Sequence, residues 1–147
     1  MTFDWIDPDS APFQDWVDLR QRILRDPLGL RYSECDLAAE AKQWHLVVRD
    51  KGDVIGGLVV DPNAGRPGEW KVRQVAVHEI HRKRGIGRAL IDRVLKRAHG
   101  GTVDALFLHS RADVVAFYER LGFELEGGPF EEVGVPHRRM VLRLGGG

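Results

Sequence analysis

One stretch constrains the fold more than any other. The residues EWKVRQVAV (Glu69–Val77) read as a central strand, and His81-Arg82-Lys83-Arg84-Gly85-Ile86-Gly87 then leads into a run with helical spacing. Ile86, Leu90 and Val94 lie on one track of that helix, and Ile91, Leu95 and Ala98 lie on the next. Arg88, Asp92, Lys96 and Arg97 occupy the opposite face. Such a helix packs its apolar face on a sheet and presents its N-terminus at the sheet's edge or crevice. A helix N-terminus carries unpaired N–H groups and the positive end of the dipole. A glycine turn strips side chains from it, so the pattern suits a phosphate or pyrophosphate seat. Arg82, Lys83, Arg84 and Arg88 would add positive potential. The bland alternative is a simple turn beside a solvated basic face.

Spacing excludes two well-known phosphate loops. After Gly87 come Arg88 and Ala89, where a Walker A loop needs Lys-Ser/Thr. A dinucleotide fingerprint needs a third glycine at the place of Leu90. The remaining pattern is Arg82-x-x-Gly85-x-Gly87 between a strand and a helix.

The rest of the chain supplies one α/β domain. Thr2–Ile6 reads as a strand, and Ser10 as the N-cap of a helix running to about Arg25, where Pro27 and Gly29 break it. A short helix is expected near SECDLAAEAK. Trp44–Asp50 and Asp53–Asp61 read as strands joined by a Lys51-Gly52 hairpin turn. After the Gly85 helix, closed by Gly100-Gly101, DALFLHS reads as a buried strand and ADVVAFYERLGF as a helix ended by Gly122. FELEGG and HRRMVLRL are expected as the last strands, around a PFEEVGVP loop. The order β-α-α-β-β-β-α-β-α-β-β implies a mostly antiparallel sheet with one parallel step across the Gly85 helix. The domain is expected over residues 1–144, with 145–147 a flexible glycine tail.

Composition narrows the partners. Lys+Arg and Asp+Glu both number 22, so the formal net charge is zero and no global field favours nucleic acid or an anionic membrane. HRKR lacks aromatic interleaving, which ranks a nucleic-acid patch low. The first residues lack the apolar core of a signal peptide, and no run approaches the ~20 apolar residues of a membrane span. The single cysteine, Cys35, cannot make an internal disulfide, which fits a reducing cytoplasm. Its acidic neighbours Glu34 and Asp36 disfavour a thiolate. His78-Glu-Ile-His81 has the wrong spacing for a metalloprotease helix, so no metal site is expected.

VRQVAVHEIHRKRGIGRALIDRVL resembles motif A of the GNAT N-acetyltransferase superfamily. VVAFYERLGF (Val114–Phe123) resembles that family's second hallmark, and Tyr118 lies 31 positions beyond Gly87, a typical distance. EEVGVPHRRM is similar to a segment of the ElaA/YjcF-like bacterial subgroup. The resemblance implies a mixed, largely antiparallel sheet of six or seven strands with about four helices, splayed near Val77 and His109. It implies acetyl-CoA as cosubstrate and direct acetyl transfer to a primary amine. The pyrophosphate would sit on Arg82, Lys83, Arg84, Gly85, Ile86, Gly87, Arg88 and Ala89. The pantetheine arm would pair with Val75, Ala76 and Val77, where a backbone N–H near Ala76 or Val77 could hold the thioester oxygen. Tyr118 aligns with the family's general acid. Arg111 stands where many members have asparagine, and could reach a phosphate instead.

The amine must lose a proton, and Glu79, His78, His109, Glu131, Glu132 and His137 are candidate bases that no spacing separates. Acceptor walls would come from RDPLGLRYSECDLAAE, PNAGRPG and PFEEVGVPH. Glu34, Asp36, Glu131 and Glu132 there would suit a cationic small-molecule or peptide amine. A homodimer is possible by analogy. The competing function class is a non-catalytic acyl-CoA-binding regulator on the same fold.

Overall fold

The computed structural model describes residues 1–99 and 101–144; Gly100 and the 145–147 tail lie outside them. Among the described residues, seven strands and four α-helices follow in the order β1 (Thr2–Ile6), α1 (Phe13–Arg20), α2 (Glu34–Glu40), β2 (Trp44–Asp50), β3 (Asp53–Asp61), β4 (Glu69–Val77), α3 (Ile86–Ala98), β5 (Ala105–Arg111), α4 (Val115–Arg120), β6 (Glu124–Glu132) and β7 (Val135–Arg143). The strands form one sheet in the order β1-β2-β3-β4-β5-β7-β6. Every neighbour is antiparallel except the β4–β5 pair, which is the expected parallel step across α3.

Period-2 alternation sorts the strand residues between two faces. Leu46 and Val48 of β2, Leu58 and Val60 of β3, and Leu106 and Leu108 of β5 pack with Ile86, Leu90, Ile91 and Val94 of α3. The alternate residues Val47 and Val59 pack with Trp16 and Leu19 of α1 on the opposite face. Helices cover β3 on both sides, so Ile55–Val60 are buried without a break. The four tryptophans belong to these packings. Trp16 is fully buried, and Trp44 meets Trp70 edge to face at 4.9 Å. Trp5 and Trp44 carry the Arg97 guanidinium on their rings.

Two local expectations are corrected. Ser10 does not cap α1; its hydroxyl closes a turn on the Asp7 carbonyl at 2.6 Å, and Pro12 holds the N-cap position. The helical course does continue to Arg25, but residues 21–25 are π-helical. PFEEVGVP is not a loop. It belongs to a β6–β7 hairpin that turns at Val133 and Gly134, with φ of 49° and 73°, the same left-handed pair of backbones as Lys51 and Gly52. Pro129 is tolerated within β6 because β6 is the sheet's edge, where a missing N–H costs no ladder bond. A bulge at Gly127, with φ of 77°, takes up the register shift between Glu126 and Phe130.

The α1–α2 layer is tied down by a buried polar chain. Arg20 donates to Glu40 Oε2 at 2.8 Å, with its guanidinium between the rings of Trp16 and Tyr32. Trp16 Nε1 donates to His45 Nδ1 at 3.2 Å, and His45 Nε2 lies 3.0 Å from the Glu40 carbonyl. That pattern needs a neutral imidazole protonated at Nε2. Burial pushes the His45 pKa below its ordinary value. In the unfolded chain His45 takes a proton near pH ~6.5, before the folded state does. Its contribution to stability is therefore full above that pH and lost as pH falls below it. The melting temperature should hold between pH 8 and 7 and decline between pH 6.5 and 5. A His45→Gln variant should be less stable at pH 7 and show a flatter decline over the same window, read by thermal denaturation.

Candidate active site

The site begins where two central strands part. β4 and β5 pair at Glu69–Ala105, Trp70–Leu106 and Lys71–Phe107. β4 stays on β3 as far as Val77, and β5 stays on β7 as far as Arg111. Beyond Lys71 and Phe107 the facing edges of β4 and β5 therefore have no strand partner among the described residues. The gap lies where the splay near Val77 and His109 was expected.

Gln74 sets the course of β4 along this gap. Its φ is 55°, in the left-handed region, and an extra β4 residue is accommodated between the Gly57–Ala76 and Val59–Arg73 pairs. Trp70 and Val72 face α3 before the bulge; Val75 and Val77 do so after it, leaving Ala76 to the α1 side. The Tyr32 hydroxyl donates to Gln74 Oε1 and ties the bulge to the segment before α2.

The glycine turn lies just beyond β4. Lys83 and Gly85 have left-handed backbones, φ 65° and 74°, and Gly85 is the N-cap of α3 with no side-chain cap bond. The first N–H groups of this 13-residue helix thus have no side-chain acceptor from their cap. The two glycines serve different ends. A Cβ at Gly85 would meet open space, so only its φ demands glycine. A Cβ at Gly87 would lie 2.5 Å from Phe117 Cζ, so this glycine lets α4 pack against α3.

The basic residues of the turn are partly engaged by protein. Arg82 Nε donates to the Val77 carbonyl at 3.2 Å. Arg84 Nη1 lies 2.7 Å from His81 Nδ1. Arg88 Nη2 donates to the Arg120 carbonyl at 2.6 Å, joining α3 to the end of α4. Lys83 is exposed, Ile86 is core, and Ala89 is half-buried in the first turn. Arg111 ends β5 with Nε 3.6 Å from Asp113 Oδ1.

Tyr118, on α4, lies on the α3 face of the sheet. Its ring meets Phe117 and Phe123 edge to face and packs on the core that α3 shares. The residue keeps some exposed surface, but burial of the phenol raises its pKa, so it stays protonated at neutral pH.

The opposite face brings together groups that the sequence left separate. His109 Nδ1 lies 2.9 Å from Glu132 Oε1. His137 Nε2 is 3.7 Å from Glu132 Oε2, while its Nδ1 is 2.8 Å from the Val135 carbonyl. Burial opposes ionisation of Glu132, but the bond from His109 and the nearby charges of His109, Lys71 and His137 hold its pKa below the ordinary value. A pocket of about 460 Å³ opens beside His109, walled by Lys71, Phe107, Arg139, Arg143 and the 64–66 loop. The PNAGRPG segment is thus a wall of this pocket. The other base candidates lie elsewhere. His78 and Glu79 belong to the turn after β4, where His78 Nδ1 accepts from Ile80 N–H, and Glu131 is exposed. Asp36 is consumed in a capping box with Ser33. Lys71, Arg139 and Gln74 were missed from sequence, since single polar residues in a strand carry no motif. Among the described residues, no group of three or more His, Cys, Asp or Glu side chains could hold a metal ion, and no helix is long and apolar enough to cross a membrane.

A parted parallel strand pair beside an uncapped, glycine-led helix defines an acyltransferase-like architecture. The family profile described as "Acetyltransferase (GNAT) domain" matches residues 32–144, and the chain belongs to that family. It is 27% identical over 71 residues to the Bacillus subtilis protein BSU40680, and spans about half the length of that relative, the match covering 48% of each. Among solved structures it is similar to Escherichia coli ElaA, with a TM-score of 0.79 and 17% identity over 97% of this chain and 99% of that one. It is also similar to an aminoglycoside 6′-N-acetyltransferase complexed with coenzyme A, with a TM-score of 0.76 and 16% identity over 97% of both chains.

Substitution of the two glycines should produce separable defects. Gly85→Ala should cost about 1–2 kcal/mol through backbone strain alone. Gly87→Ala should cost about 1–3 kcal/mol by overpacking. A Phe117→Leu change should relieve the second cost and not the first, as a double-mutant cycle in denaturant would record.

Proposed function

We propose that the protein transfers an acetyl group from acetyl-CoA to a primary amine by direct attack. The observation that carries this reading is the β4–β5 gap opening beside the uncapped N-terminus of α3. The backbone N–H groups from Gly85 to Arg88 would hold the pyrophosphate, helped by the dipole and by Lys83, Arg82 and Arg84, whereas the Ala89 N–H already donates to the Gly85 carbonyl at 3.0 Å. Arg88 and Arg111 contribute less to that seat, because Arg88 is held by the Arg120 carbonyl and Arg111 lies beside Asp113. The pantetheine arm would lie along the unpaired edge of Val75, Ala76 and Val77, like a strand added to β4. A main-chain N–H near Ala76 or Val77 would face the thioester oxygen as negative charge develops.

Tyr118 would serve as general acid. Attack by the amine forms the C–N bond and breaks the C–S bond, the departing thiolate takes the phenolic proton, and the proton shed by the new amide nitrogen returns to the phenolate. His109 is the base that the geometry favours among the earlier candidates. With Nδ1–H directed at the Glu132 carboxylate, its Nε2 lone pair is left to accept the ammonium proton. Cosubstrate and acceptor would thus approach from opposite faces of the sheet and meet in the gap. The coenzyme A bound in the aminoglycoside acetyltransferase structure supports the same choice of cosubstrate.

The reading is tested by titrating coenzyme A into the protein and by screening thiol release from acetyl-CoA with amino sugars, polyamines, amino acids and peptides. Absence of coenzyme A binding would overturn it. Binding without thiol release from any amine would favour the regulator. With an active amine, Tyr118→Phe should bind acetyl-CoA and lose about 10²-fold in kcat. His109→Gln should lose a similar factor at pH 7, in kcat rather than in coenzyme A affinity. That loss should shrink as pH rises toward ~10, where solution deprotonates the amine itself. A loss constant across pH would assign His109 a structural role.

A further inference from the structure

The pocket beside His109 holds more positive charge than its carboxylates use. Glu69 accepts from the Arg66 backbone N–H at 3.0 Å and lies 3.5 Å from Arg139 Nη2. Glu126 accepts from Arg139 at 2.9 Å and from Arg143 at 3.1 Å. Glu132 is engaged by His109 at 2.9 Å. Glu69 and Glu126, the acids lining the pocket, are therefore already matched, and Asp61, cross-strand from Lys71, accepts from the Asn63 N–H at 2.9 Å and from Gln43 at 3.4 Å. Lys71 is different: among the described residues no carboxylate lies within 4.0 Å of its ammonium. Its more distant surroundings are mixed in sign, with Glu132 and Asp61 on one side and Arg73 and Arg139 on the other. The side chain is half-buried, and burial lowers its pKa. Arg66 stands at the mouth on the 64–66 loop, exposed and likewise without a carboxylate partner among the described residues.

We infer that the acceptor carries an anionic group, carboxylate or phosphate, in addition to its amine, and that Lys71 and Arg66 hold that group in this pocket. This rests on the acetyl-transfer reading above and names the acceptor's chemical class. A partly desolvated ammonium with no carboxylate at ion-pair distance gains most when a ligand supplies one. The acidic residues of PFEEVGVPH, which in the sequence suited a purely cationic amine, do not argue against an anion. Glu132 is committed to His109, and Glu131 does not line the pocket. The ammonium of a zwitterionic acceptor would turn toward His109 and Glu132, and its anion toward Lys71. A cavity of about 460 Å³ suits a small molecule of this kind.

Matched pairs test the inference: β-alanine against β-alanine amide for a carboxylate, and 2-aminoethyl phosphate against ethanolamine for a phosphate. Thiol release from acetyl-CoA is measured with the full chain, and kcat/KM is expressed per fraction of neutral amine. In at least one pair the anionic member should be about tenfold better or more, and the better pair identifies the anion. Lys71→Met should bring that ratio toward one, and Lys71→Arg should retain most of it. Equal or better rates with both neutral members, or a ratio unchanged in Lys71→Met, would overturn the inference. If acetyl-CoA binds but no amine releases thiol, the transfer reading fails, and calorimetry of the same pairs into coenzyme A-saturated protein decides the pocket separately. About tenfold tighter binding of an anionic member supports the inference; equal binding, or none, overturns it.

Discussion

The parting of β4 from β5 is the constraint on which the rest of the site depends. A sheet normally satisfies its backbone groups through its neighbours, and an interior strand with a bare edge is costly unless something fills it. Here β4 stays bonded to β3 along its length while its other edge is released after Lys71. The Gln74 bulge accompanies that release. A left-handed glutamine costs roughly 1–2 kcal/mol, comparable to the gain from one hydrogen bond such as that from Tyr32. Packing of Val75 and Val77 on the α3 core supplies the remaining support. The strain sits beside the gap, where a device that re-aims three successive residues has most effect.

The sheet divides the chemistry by side. On the α3 face lie the glycine turn and a phenol kept protonated by apolar surroundings. On the other face lie an imidazole oriented by a carboxylate and a pocket rich in paired charge. In the proposed reaction, acid and base would then occupy unlike environments without neutralising one another, because the sheet stands between them. The gap is where the two sides communicate, and α4 braces it. Arg88 grips the end of α4, and Gly87 leaves room for Phe117.

Much of the architecture was legible because it rests on local signals. The β-rich run Asp53–Asp61, the Lys51-Gly52 turn and the helical tracks of α3 are readable in a single window, and the structure follows them closely. The errors share a cause. Ser10 offered capping chemistry, but the chain continues through Pro12 before the helix begins, and the hydroxyl closes a turn instead. PFEEVGVP read as a loop, but the edge position of β6 makes Pro129 tolerable in a strand, and that position depends on the whole sheet order. Gly85 and Gly87 looked like one device in the sequence. Their separation into a backbone requirement and a packing requirement needed Phe117, 30 residues away in the chain.

The same distinction governs the site. Residues grouped by a motif, from Arg82 to Ala89, could be placed in advance because neighbours in sequence stay neighbours in space. His109 and Glu132 are 23 residues apart, and Lys71 is further still; only the β5–β7–β6 ladder and the parallel β4–β5 step bring them to one wall. Counting acidic residues in loops therefore says little about the pocket's preference. A carboxylate's effect on a ligand depends on whether a protein cation already satisfies it, and here Arg139, Arg143 and His109 do so. What the pocket retains for a visitor is the charge left over after pairing, and that remainder is positive.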